Sequence, residues 1–145
     1  MTQLTEHFSL SEFTRSDTAE SLGIDNSPTP EHLAHLQSLA EALERVRALL
    51  GHPLHITSGY RSPALNAAVG GVATSAHSMG MAADFVVSSM DTKDAGQIIA
   101  ASDIDFDQLI RESSRGILHL SVDPRMRRQV LTQAGPAGTP VTNGI

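Results

Sequence analysis

With 145 residues the chain has room for one compact domain with its own core, and too few for two. Apolar residues make up 40%, the share of an ordinary globule, and a net charge of -6 argues against nucleic acid as a partner. Cysteine is absent, which excludes disulfides and thiolate ligands, so any metal must be held by His, Asp or Glu.

The first residues, MTQLTEHFSLSEF, hold no basic cluster followed by an apolar run, so no signal peptide is visible and the product is expected to start in the cytoplasm. No stretch approaches the roughly 20 apolar residues of a membrane span. Ser9 and Glu12 have the spacing of a capping box, which predicts a short helix from about Leu10. Residues 15–30 are polar and broken by Gly23, Asn26, Pro28 and Pro30, and read as a long surface loop. Thr29 and Pro30 then open the strongest helix, with Leu33, Leu36, Ala40, Leu43 and Val46 at helical spacing and Gly51 at its end. His32 and His35 fall in its first turns and are expected on its wet side.

A short strand is predicted over 54–57, then a helix over 63–69 capped by Ser62 and closed by Gly70 and Gly71. Residues 82–87 read as a strand with Asp84 inside it. Asp91 can cap a helix running through Ile98 and Ile99 to about Ala101. Residues 106–111 and 117–122 look like paired strands around the polar turn 113–116, and 129–131 like a last strand. Asp123-Pro124 starts a turn or a helix. Residues 134–145 are rich in Gly, Pro, Thr and Asn and read as a flexible tail behind a domain of 1–133. Helices that precede and interrupt an antiparallel set of strands make an α+β pattern, a small sheet with helices packed on it.

Three segments carry chemistry: SGYRSPALN (58–66), SAHSMGMAADF (75–85) and ILHLS (117–121). A lone His is usually a surface or hydrogen-bonded residue, and His7, His32, His35, His52 and His55 are read that way. Asp84 differs because it lies in an apolar run, where a carboxylate needs a cation or several donors to offset desolvation. A metal would supply that, and so would pairing with an Arg such as Arg61. A turn at Gly80 can bring His77 to Asp84, and strand alternation puts His119 on one face with Ile117 and Ser121. Two His and one Asp make the three-ligand set of a catalytic zinc site with a fourth position open to water.

Together these segments resemble the zinc D-alanyl-D-alanine carboxypeptidase family, which includes vancomycin-resistance dipeptidases and phage L-alanyl-D-glutamate endolysins and shares its fold with hedgehog domains. The likeness runs from about His7 to Leu131, and HFSLSEFTRSDTA is similar to the phage-borne branch. The resemblance implies one Zn2+ held by His77, Asp84 and His119. It implies Arg61 as the group that binds and polarises substrate, with Tyr60 beside it in SGYRSP, and Ser75 as a further substrate contact or else a loop cap. Well-known members carry an acid three positions before the last ligand and often a Trp two before; here Gly116 and Ile117 stand there. Glu112 is the nearest acid. If a hairpin turns around Ser114 and Arg115, residue 112 faces 117 and 110 faces 119, and Glu112 shares a face with His119 as the general base.

The implied function is hydrolysis of an amide bond in the peptidoglycan stem peptide, by a monomer that other phage or prophage proteins bring to the cell wall. A zinc-containing binding module without catalysis, for which Gly116 speaks, is the alternative. A metal-free α+β binding domain would leave Asp84 unpaired.

Overall fold

The computed structural model describes residues 2–72, 74–136 and 138–145. Local signals place most of the helices. Helix α1 (Leu10–Thr14) carries the full Ser9/Glu12 capping box. Helix α3 (Pro30–Leu50) opens on Thr29, whose side chain accepts from the His32 amide, and closes on Gly51. Its apolar stripe of Leu36, Leu39, Ala40, Leu43 and Val46 is fully buried and forms one wall of the core. Helix α4 (Pro63–Ala68) is capped by Ser62 and α5 (Thr92–Ala100) by Asp91.

The long loop expected over 15–30 is corrected by a short helix, α2 (Asp17–Leu22). Ser16 caps it and Gly23 closes it, yet it buries only Ala19, so no apolar period marks it. His32 and His35, expected on the wet side, are half-buried. His32 lies against the Tyr60 ring with Nδ1 3.2 Å from its hydroxyl, and His35 Nδ1 is 2.7 Å from the Met79 carbonyl oxygen. They are partly covered because the 3-10 helix Ala76–Met79 lies against the first turns of α3.

Six strands form one sheet in the order β1 (Leu54–Ser58), β2 (Ala82–Val87), β4 (Ile117–Ser121), β3 (Gln108–Glu112), β5 (Gln129–Gln133), β6 (Thr142–Asn143). The fold is α+β with a mostly antiparallel sheet, as expected, except that β3 and β5 pair in parallel. Ala83, Phe85 and Val87 of β2 and Leu118 and Leu120 of β4 turn one face into the core with α3 and α5. Asp84 and His119 therefore lie on the other face, directly paired across β2 and β4. The β3–β4 hairpin pairs Glu112 with Ile117 and Ile110 with His119, the register counted from the sequence. Asp123-Pro124 makes a turn, held by the Arg125 amide on Asp123 Oδ1.

The stretch 134–145 is not wholly loose. Thr142 and Asn143 pair with Thr132 and Leu131, the Gly144 amide donates to the Val130 carbonyl, and Ile145 packs against the core. Among the described residues no helix is long and apolar enough to cross a membrane.

Candidate metal centre

Three separate pieces of chain bring His77, Asp84 and His119 together. A register shift in β1 between Ile56 and Ser58 sits beside Asp84, whose carbonyl accepts from Thr57 Oγ1 at 3.2 Å. The chain then exposes the Gly59 carbonyl, which accepts from His77 Nδ1 at 2.7 Å. His77 itself rides on the 3-10 helix, capped by Ser75 and closed by Gly80 at φ 74°, where an L side chain would be strained and a Cβ would meet the His32 carbonyl. That tight turn hands the chain straight to β2. His77 Nε2 thereby ends 3.3 Å from Asp84 Oδ1.

His119 Nδ1 lies 2.9 Å from the same Oδ1, and one ligand atom from each of the three residues falls within 4.8 Å of the others. His77 and Asp84 are buried and His119 is nearly so. The donor set fits a metal ion on one further count. The Gly59 carbonyl can only accept, so His77 Nδ1 carries a proton and Nε2, the atom left for a ligand, faces a carboxylate oxygen. Two acceptors that close in a buried site require a cation between them, either a proton or a metal. The backbone carbonyl behind His77 is also the usual outer partner of a ligating imidazole. Burial pushes the Asp84 carboxyl up, but the positive charge and hydrogen bonds of His77 and His119 in their protonated form outweigh it and hold the group far below the usual carboxylate range.

Arg61 does not pair with Asp84. Its Nη2 donates to Ser75 Oγ at 3.3 Å, and its Nε is buried without a partner among the described residues. Burial lowers its pKa, with Asp84 opposing and Arg115 adding to the fall. Ser75 thus caps the 3-10 helix and steadies Arg61. Tyr60 is buried, its hydroxyl engaged by His32. A cleft of about 710 Å³ opens beside the three ligands, lined among others by Arg15, Tyr60, Arg61 and Arg115. None of the three ligands lines it, but Gly59 in its wall touches His77 and Arg115 touches Asp84.

Glu112 lies on the metal face with its side chain mostly buried, and Arg115 Nη1 donates to its Oε1 at 3.0 Å. Gly116, at the family's acid position, has φ 66° and closes the hairpin turn, so that position serves the backbone here. Sequence reasoning missed two participants. The Gly59 carbonyl has no signature beyond following a strand end, and Arg115 reaches Asp84 only through the fold, its Nη2 3.6 Å from Oδ2.

A buried His–Asp–His group on a sheet face, beside a polar cleft, is of the kind that could hold one metal ion. A family model described as Peptidase M15 matches residues 6–121, most of the chain, and the chain belongs to that family. No curated protein matches it. The family suggests a zinc-dependent peptidase acting on peptide substrates, and His77, Asp84 and His119 are the group that could hold the ion.

Proposed function

We propose that this chain is a zinc peptidase that hydrolyses an amide bond in the stem peptide of peptidoglycan, as a D,D-carboxypeptidase or an L-Ala–D-Glu endopeptidase. The observation that carries this reading is the His77–Asp84–His119 group set beside a cleft walled by Arg61, in a chain of the M15 family. Zinc held there would act as a Lewis acid and ease the deprotonation of water near neutral pH.

The chain's own residues do the rest. Gly59 fixes the His77 tautomer so that Nε2 presents its lone pair. Arg61, with a free Nε and Ser75 as its side-chain partner, turns its fork toward a substrate carbonyl oxygen or carboxylate and stabilises charge that develops on it. Glu112, on the same sheet face as His119, takes the proton of the attacking water and returns it to the leaving amine. Ser75 offers a second polar contact next to Arg61, and Tyr60 backs the cleft wall.

The protein acts on the cell wall as a monomer, in phage lysis or as part of a virion; the N-terminal segment HFSLSEFTRSDTA, similar to phage-borne members, supports that setting. A zinc-containing binding module without catalysis is the second reading, favoured by the glycine at the usual acid position. Mass spectrometry of sacculi and synthetic stem peptides digested with the zinc-loaded protein separates them. Release of shortened stem peptides is expected, and zinc-replete protein that releases nothing supports the binding module.

A further inference from the structure

The turn of the β3–β4 hairpin holds Arg115, which stands in the cleft wall and reaches from there to two carboxylates on the metal face. Arg115 donates through Nη1 to Glu112 Oε1 at 3.0 Å and reaches Asp84 Oδ2 through Nη2 at 3.6 Å. The two oxygens of Asp84 are thus divided: Oδ1 faces both imidazoles and Oδ2 faces the guanidinium.

We propose that Arg115 is a positioning residue that ties the Glu112 carboxylate to the outer oxygen of Asp84, fixing the proton-transfer group relative to the metal-holding carboxylate. This rests on the zinc site and the Glu112 role proposed above. Without a cation between them, two carboxylates on the same sheet face would repel and swing apart. Both are shielded from water, with side chains 12% and 5% exposed, so bulk salt screens them weakly. A planar fork that presents separate N–H groups to two acceptors suits the task, and a flexible ammonium does not. The turn is built to hold it. The Arg115 and Gly116 amides both donate to the Glu112 carbonyl, at 3.1 and 2.9 Å, so the turn closes on the residue that the guanidinium clamps. Half of the Arg115 side chain remains exposed, so it adds little to the core.

Arg115→Lys tests this, because it keeps the charge near the metal while removing the fork. Zinc affinity, measured by competition with a chelator, should fall about tenfold, the usual cost of losing an outer-shell partner. On stem peptides kcat should fall while KM stays near that of the unaltered protein. The melting temperature should not move. Unchanged zinc affinity in Arg115→Lys overturns the proposal. So does a raised KM at unchanged kcat, which would make Arg115 a substrate contact. If the unaltered, zinc-loaded protein cuts no stem peptide, the peptidase reading fails, and the zinc comparison still decides the clamp.

Discussion

Asp84 and Asp107 are equally buried, at 4% and 1% exposure, and their surroundings could hardly differ more. Asp107 accepts from the Arg127 amide at 3.0 Å and from its Nε and Nη2 at 2.9 Å each, a bidentate pair that uses both oxygens. Those hydrogen bonds, against the opposing effect of burial, hold its carboxyl below the ordinary range. Asp84 has no such partner among the described residues. Its nearest groups are two imidazoles, and the Arg115 guanidinium stands 3.6 Å away, shared with Glu112. A buried carboxylate matched by a fork is complete within the protein, whereas one that faces two imidazoles within ligand distance can share a metal ion with them. That difference sets the first apart as structural and the second as the candidate ligand site.

The comparison breaks first at the metal. His77→Ala, Asp84→Ala and His119→Ala should each abolish tight zinc binding, read as metal content after dialysis, while Asp107→Asn keeps one zinc. Full zinc occupancy in all three alanine variants would remove the site. Glu112→Gln comes next in size. It hardly changes shape, so zinc content and melting should hold while stem-peptide hydrolysis falls at least about a hundredfold. A variant that keeps most of its activity would send the search for the base elsewhere.

Much of this contrast was legible in the sequence. Asp84 stands out as a carboxylate in an apolar run, alternation assigns His119 a face, and a four-residue turn fixes the register that brings Glu112 to that face. Caps did the same for α1, α3, α4 and α5, because a cap is a local event. What stayed hidden was long-range or without an apolar period. The parallel β3–β5 pairing joins strands separated by all of β4, and nothing local in Gln129–Gln133, half-buried at every position, announces a partner. Helix α2 buries one alanine. Asp107 meets Arg127 across twenty residues, and Arg115 meets Asp84 across a strand, so neither pair leaves a spacing to read.

Arg61 sharpens the Asp84 side of the comparison, since it lies near that carboxylate without pairing to it. Arg61→Lys should keep zinc and fold and lose roughly tenfold or more in kcat/KM, because an ammonium cannot reproduce a planar fork aimed at substrate oxygen. An unfolded Arg61→Lys protein would instead make Arg61 a structural residue like Arg127.

The smallest effect lies at Asp107 and should appear in stability alone. Asp107→Asn replaces an acceptor of three hydrogen bonds by a group with one acceptor oxygen, at a cost of about 1–3 kcal/mol near neutral pH. Its sign with pH follows from the depressed carboxyl. In the folded protein the group titrates below its unfolded value, so its contribution is present in full above the unfolded pKa of about 4. The contribution falls as pH drops below that value and is gone once pH passes the folded pKa. Denaturant unfolding of Asp107→Asn beside the unaltered protein should therefore show a gap that is constant from pH 7 to about pH 5 and narrows on further acidification. Zinc sites lose their ligands to protons in the same range, so the comparison belongs to the chelated forms of both proteins. A gap that does not change with pH would mean that Asp107 acts through shape and not through charge.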